Sequence, residues 1–237
     1  MNDVQDFLAC KDIQYRSFTL STLHVNCHYT QQALLIHGGA KSQEIFEPLK
    51  KMLSQYQIGS LSFDCIGHGQ STGHLADSSL YKRTQQALHI IQHQKASINI
   101  CIGVSMGAYN AIKLSQLLNL DTLILIVPAV YTPQAYDINF GDKFSQIIRH
   151  QNSWQNSDAW DILNQFKGNL LIISAENDEV IPSEIPQKLF ESATQCKWKK
   201  HLMMQNTTHQ EFIHHVFSSS HLKKRLLQQL KKCLSFV

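Results

Sequence analysis

Residues 98–114 read Ile98-Asn99-Ile100-Cys101-Ile102-Gly103-Val104-Ser105-Met106-Gly107-Ala108-Tyr109-Asn110-Ala111-Ile112-Lys113-Leu114. The first part is a run of apolar β-formers and the last part is a helical pattern. Between them lies a corner with a serine at its apex and a glycine two residues to either side. So tight a corner forces the serine into a strained backbone conformation, and side chains in place of the two glycines would clash there. It presents the serine oxygen above a sheet, at the N-terminus of the following helix.

Outward from this corner, strand and helix alternate. Buried strands are expected at 33–36, Ile58–Phe63, 98–104, 123–127 and 170–174, because short apolar runs there are bounded by turn residues. Residues 198–204 form a weaker strand candidate, and 15–20 are expected to form one antiparallel edge strand. Helical spacing covers 44–55, Leu80–Gln94, 106–118, 185–192 and the C-terminal stretch. On the second of these, Leu80, Ala87, Leu88 and Ile91 share one face. Repeated strand–helix units imply a mostly parallel sheet covered by helices on both faces. The chain of 237 residues, 43% hydrophobic, is expected to form one domain over 1–237. At about 131–168 the rhythm breaks in a polar, aromatic stretch with Tyr131, Tyr136, Phe140, Phe144, Trp154, Trp160 and Phe166. That is too long for an ordinary connection of about 2–6 residues. It is expected to be a short helical cap whose aromatics line a pocket, pack the cap on the body, or both.

Composition excludes several classes. Charged residues make up 16%, too few for a disordered, highly charged chain. A net charge of +3 does not call for a nucleic-acid partner. The acidic N-terminus, Met1-Asn2-Asp3-Val4-Gln5-Asp6, is not a secretory signal pattern, and no apolar run approaches the length of a membrane span. The six cysteines form no CxxC pair and are read as free thiols in a cytoplasmic, reducing setting. Glycine is scarce, 10 in the chain, yet six cluster in three stretches: Gly38-Gly39, Gly67 with Gly69, and Gly103 with Gly107.

With its flanking strand and helix, the motif Gly103-Val104-Ser105-Met106-Gly107 resembles the nucleophile elbow of the α/β-hydrolase superfamily. The resemblance is to the broad group of esterases, monoacylglycerol lipases and serine aminopeptidases, and it runs from about Ala33 to the C-terminus. It implies an α/β-hydrolase fold and a serine, acid, histidine triad in that chain order. It also implies that the early loop Ile36-His37-Gly38-Gly39-Ala40 supplies an oxyanion-hole donor. By this likeness the N–H groups of Gly39 and Met106 are the pair, with Ala40 the alternative if the loop is shifted by one. The loop Asp64-Cys65-Ile66-Gly67-His68-Gly69-Gln70-Ser71 is similar to the family's D-x-x-G-H-G-x-S turn, and Asp64 and His68 are taken as structural. The late loop Glu176-Asn177-Asp178-Glu179-Val180-Ile181-Pro182 points to Asp178 as the acid, with Glu176 and Glu179 as neighbours. His209 lies 31 residues further on, after the last strand candidate, and is the implied base. His201 falls inside that strand, and His214 and His215 inside the next helix. Two positions depart from the commonest pattern: Val104 where a His often precedes the serine, and Ala108 where a Gly often follows.

The resemblance implies a serine hydrolase that cleaves a carboxylic ester or thioester through an acyl-enzyme intermediate. Acyl thioesterase, peptidase and acyltransferase activities are the alternatives on the same triad, and a catalytically silent binding protein is the alternative outside it. The substrate is a small acyl compound, and no cofactor is implied. The spacing of His209, His214 and His215 matches no strong metal-ligand pattern. The tail Ser220–Lys232 is a basic helix with Leu222, Leu226 and Leu230 every four residues. It reads as a last helix packed on the sheet, in preference to one that touches an anionic membrane.

Overall fold

The computed structural model describes residues 8–39 and 42–234, the first three of them by backbone. Eight strands, β1 Leu8–Tyr15, β2 Phe18–Val25, β3 Gln31–Ile36, β4 Ile58–Phe63, β5 Ile100–Val104, β6 Thr122–Ile126, β7 Asn169–Asn177 and β8 Trp198–Thr208, form one sheet. Its order is β1-β2-β4-β3-β5-β6-β7-β8. The pairs β1–β2 and β2–β4 are antiparallel and every other pair is parallel. The helices are α1 Glu47–Gln55, α2 Leu80–Gln94, α3 Met106–Leu114, α4 Asp142–Arg149, α5 Ala159–Gln165, α6 Glu184–Ser192, α7 Phe212–Ser218 and α8 Ser220–Leu234.

Alternation along each buried strand feeds two cores. Leu34 and Ile36 of β3, Cys101 of β5 and Leu123 and Leu125 of β6 point to one face, where α2, α3 and α6 cover them. Leu35, Ile100, Ile102, Ile124 and Ile126 point to the other, under α1, α7 and α8. This is why the strands read as unbroken apolar runs: both sides of the sheet are dry. On α8, Leu222, Leu226 and Leu230 are buried in the second core. Each contributes about 1.5–3 kcal/mol to holding the helix on the sheet. Lys223 and Lys224 stay exposed. Among the described residues no helix is long and apolar enough to cross a membrane.

Three expectations need correction. Residues 15–20 are not one strand: Tyr15 ends β1, residues 16 and 17 make a hairpin turn with Arg16 at φ 58°, and residues 18–20 open the antiparallel strand β2. The apolar pattern of 18–25 is diluted by polar Thr19, Ser21, Thr22 and His24, which hides how far β2 extends beyond Leu20. The helix expected over 106–118 ends at Leu114, after which the chain turns. The strand beginning at Trp198 runs on to Thr208, because its polar second half still pairs with the end of β7. Cys27 is exposed, Cys196 half-buried and Cys65, Cys101 and Cys233 buried, all unpaired; the side chain of Cys10 lies outside the described residues.

The chain passes from β3 outward to β4 and then returns to place β5 on the other side of β3. Beyond this point successive strands add on the β5 side. In such sheets ligands bind at the carboxyl ends of the strands where the order reverses. The ends of β3 and β5 are where His37-Gly38-Gly39 and Ser105 leave the sheet. From β6 to β7 the chain runs through a 3-10 turn Pro133–Ala135, α4 and α5, with no strand among them.

Candidate active site

Ser105 leaves β5 at φ 52°, ψ −118°, directly ahead of the first residue of α3. Its N–H is held by Ile126 O at 2.9 Å and its carbonyl accepts from Ala129 N–H at 3.2 Å and Ala108 N–H at 3.0 Å. A non-glycine residue at this φ is strained, and the surrounding hydrogen bonds keep it there. The two flanking glycines are required by backbone approach. A Cβ at Gly103 would lie 2.4 Å from Gly107 O, and one at Gly107 would lie 2.2 Å from Ile36 O and 2.6 Å from His37 O. Gly107→Ala therefore forces α3 away from the end of β3. The expected cost is about 1–3 kcal/mol, roughly 2–12 °C in Tm for a chain of this size. Thermal unfolding followed by circular dichroism checks it.

The three residues singled out in the sequence come together here. His209 Nε2 lies 3.0 Å from Ser105 Oγ, and His209 Nδ1 lies 3.0 Å from Asp178 Oδ2. The other oxygen of Asp178 accepts from Val180 N–H at 3.0 Å and Ile181 N–H at 2.8 Å, which sets the plane of the carboxylate. Burial raises the Asp178 carboxyl, but the hydrogen bonds from His209, Ile181 and Val180 outweigh it and hold the group below its usual range. Of its two neighbours, Glu176 is engaged elsewhere, accepting from Asn206 N–H at 2.8 Å, and Glu179 is exposed. His201 hydrogen-bonds Ser174 at 2.8 Å from within β8, and His214 and His215 lie in α7.

The loop after β3 borders the serine. A Cβ at Gly38 would meet Ser105 Cβ at 3.3 Å, and one at Gly39 would meet Met106 Cε at 3.2 Å. Met106 is the first residue of α3, so its N–H has no acceptor within the helix. Among the described residues neither Gly39 N–H nor Met106 N–H donates to another protein group. Ala40, the other candidate donor, lies outside the described residues.

The following loop braces this one. Asp64 accepts from Gln43 N–H at 2.7 Å and Gln70 N–H at 3.0 Å. Gly69, at φ 49°, packs on that carboxylate so closely that a Cβ would lie 2.1 Å from it. His68 Nε2 lies 2.6 Å from Gly39 O. His37 is fully buried; burial first, then the nearby Arg83 and His68, push its pKa well below that of a free histidine. Burial likewise lowers His24 and His201. A histidine held neutral in the folded state takes up its proton only on unfolding. Below about pH 6.5 the unfolded chain therefore binds more protons, and stability falls as the pH is lowered. We expect Tm to drop between pH 7.5 and pH 5.0; a flat Tm across that range contradicts this.

Two features of the site carry no expectation from the sequence. Val127, a β-branched residue, stands at φ 41° just beyond β6, with its N–H on Ile173 O at 2.7 Å. Nothing in its sequence context signals this. Arg83 is fully buried under the loop after β3. Its position was visible, since it lies three residues after Leu80 and four before Ala87 on the apolar stripe of α2. Between β6 and β7 the aromatic side chains pack on one another: Phe140 on Phe144, Tyr131 on Phe144 and on Tyr109 of α3. Asp158 ties this segment down, accepting from Tyr109 at 2.6 Å and pairing with Lys113 at 2.7 Å.

Such a chain of hydroxyl, imidazole and carboxylate, with unengaged N–H groups beside it, is what attack on an acyl carbon requires. Structures of similar architecture carry hydrolytic names. Est1E from Butyrivibrio proteoclasticus, in a structure with bound ferulic acid, is 19% identical, with a TM-score of 0.70 over 93% of this chain and 99% of that one. The Pyrococcus furiosus esterase Pf2001 is 19% identical, with a TM-score of 0.71 over 96% and 93%. The thioesterase domain of the curacin biosynthetic pathway is 15% identical, with a TM-score of 0.67 over 90% and 98%. At these identities the likeness is one of fold. No curated protein matches the sequence. The family model described as serine aminopeptidase, S33, matches residues 29–155, just over half the chain, including the loop after β3 and the serine corner. With that match and an α/β-hydrolase sheet beneath its serine corner, the chain belongs to the serine aminopeptidase S33 family of α/β-hydrolases.

Proposed function

We propose that this α/β-hydrolase cleaves a carboxylic ester or thioester of a small acyl compound, with Ser105 as nucleophile, His209 as base and Asp178 as its orienting acid. The observation that carries the reading is the continuous pair of 3.0 Å contacts from Ser105 through His209 to Asp178. In the first step His209 Nε2 takes the Ser105 proton as Oγ attacks the acyl carbon. The negative charge that develops on the substrate oxygen is met by Gly39 N–H and Met106 N–H; one such donor is worth about 2.7–4 kcal/mol in the transition state. His209 then gives the proton to the leaving alcohol or thiol, and an acyl-Ser105 ester remains. Water, deprotonated by His209, hydrolyses that ester and restores the hydroxyl. Asp178 keeps the proton of neutral His209 on Nδ1 and stabilises the imidazolium in both halves. No step calls on a cofactor. The segment 131–168 serves as a short cap over the acyl side of the site.

The family's description favours one further reading, removal of an amino-terminal residue from a peptide. Such a substrate carries an ammonium group, which needs a carboxylate to receive it. Asp178 is occupied by His209 and Glu176 accepts from Asn206 N–H, while Glu179 and Glu211, both exposed beside triad residues, are the carboxylates that could receive it.

Steady-state hydrolysis of matched p-nitrophenyl esters, acyl thioesters and aminoacyl p-nitroanilides separates these readings. We expect the esters and thioesters to be turned over with kcat/KM at least about tenfold above the anilides. A preference for the anilides contradicts the ester reading.

A further inference from the structure

Arg83 is fully buried on α2, yet among the described residues it forms no ion pair. Burying a guanidinium without a carboxylate is costly, so its donors must be used otherwise. They are turned on the loop after β3: Nη2 donates to His37 O at 2.7 Å and to Gly38 O at 3.3 Å and also lies 3.2 Å from His37 Nδ1, and Nε lies 3.0 Å from Cys65 Sγ. Nη1 has no partner. The cation thus rests against the loop that follows β3 and borders Ser105.

A second donor meets the same carbonyl. Cys65 N–H donates to His37 Nε2 at 3.0 Å, so that nitrogen carries the lone pair and the ring proton sits on Nδ1. Nδ1–H then donates to Gly38 O at 2.7 Å. Gly38 O therefore accepts from His37 and from Arg83 together. The peptide joining Gly38 and Gly39 is planar and trans, so its N–H points opposite to its C=O. With the carbonyl drawn inward by two donors, Gly39 N–H is turned away from α2, and it has no acceptor of its own among the described residues. A glycine pair otherwise leaves this peptide free to rotate.

We propose that Arg83 is a positioning residue for the oxyanion hole: its guanidinium grips the carbonyls of His37 and Gly38, fixing and polarising the peptide whose N–H at Gly39 receives the developing oxyanion. The inference deepens the proposed function and rests on it. Two effects act together. The first is orientation, since a donor set in advance does not have to be turned during reaction. The second is polarisation, because a cation on the carbonyl end of a peptide strengthens donation from the N–H end, and does so most where water is absent. Neither effect strengthens binding of a neutral ground-state ester to the same extent, so the loss on removing Arg83 falls on kcat.

The test compares wild type with Arg83→Met, which keeps length and loses charge, and Arg83→Lys, which keeps charge and loses the two-carbonyl grip. For folded Arg83→Met we expect kcat on a p-nitrophenyl ester to fall by about 10²-fold, at the lower end of what loss of an oxyanion donor does. KM should stay within about twofold, as for an interaction made only in the transition state. For Arg83→Lys the expected fall is about tenfold, since an ammonium reaches one carbonyl at a time. Either variant at wild-type kcat, or a loss confined to Tm or KM, overturns the proposal. Crystal structures of wild type and variants supply a readout independent of turnover. With Arg83 replaced, the peptide joining Gly38 and Gly39 is expected to rotate or take two orientations; an unchanged orientation overturns the proposal. If the wild type hydrolyses none of the substrates, the proposed function fails, and this crystallographic comparison still decides the role of Arg83. If Arg83→Met does not fold, Arg83→Lys carries both readouts.

Discussion

Ser105→Ala lowers kcat on the best ester substrate by about 10⁶-fold, the magnitude found when the serine of such a triad is removed. The reason is local. An alcohol is a poor nucleophile at neutral pH, and here one imidazole nitrogen, 3.0 Å away, is placed to take its proton as it attacks. Alanine removes the attacking atom and leaves that nitrogen without a partner. The fold has little stake in the hydroxyl. The hydrogen bonds that shape the corner run through the backbone of residue 105, to Ile126, Ala108 and Ala129, and an alanine keeps all of them. Far-UV and near-UV circular dichroism of the variant should therefore match the wild type while turnover is lost. A variant that keeps more than about one hundredth of wild-type kcat contradicts the role of Ser105.

Asp178→Asn is the second large effect, and its direction follows from which oxygen does what. Oδ1 accepts from two backbone N–H groups, so the amide oxygen of asparagine takes that place. The NH2 group is then left where Oδ2 faces His209 Nδ1. Two donors cannot face each other, so His209 shifts its proton to Nε2 and points a donor at Ser105 instead of a lone pair. The geometry survives and the base is gone. The expected loss is about 10⁴-fold in kcat. Stability carries a second signature. Since the Asp178 carboxyl is held below its usual value in the folded state, its ionisation stabilises the fold above about pH 4, and this contribution is lost as the pH falls through the folded-state pKa. Asp178→Asn lacks the dependence, so its loss of stability relative to wild type should shrink at strongly acid pH. Urea titrations at pH 7 and pH 3.5 measure it.

The sequence made the site legible because the chemistry and the backbone constraint coincide there. Gly103 and Gly107 stand where backbone meets backbone, and six of ten glycines fall in the stretches that build or brace the site. Asp178 and His209 were found by chain order after late strands, and both fall at carboxyl ends of strands in the same sheet. The antiparallel edge was less legible. β1 and β2 have one partly solvated side, and their polar residues break the apolar pattern that marks β5 to β7 as strands. Arg83 was hidden for a different reason. An arginine on the apolar stripe of a helix reads as an exception to the pattern, and only the carbonyls of His37 and Gly38 explain why the fold keeps it there. Val127 has no sequence signature, because its positive φ is imposed by β6, β7 and the serine corner meeting around it.

Everything proposed for the site depends on Ser105 being an activated nucleophile. The most direct measurement is intact-mass spectrometry after exposure to a fluorophosphonate, on wild type and Ser105→Ala side by side. One covalent adduct is expected on the wild type, at Ser105, and none on the variant. A folded wild-type protein that takes up no label, or a variant that labels as fast as the wild type, would contradict it.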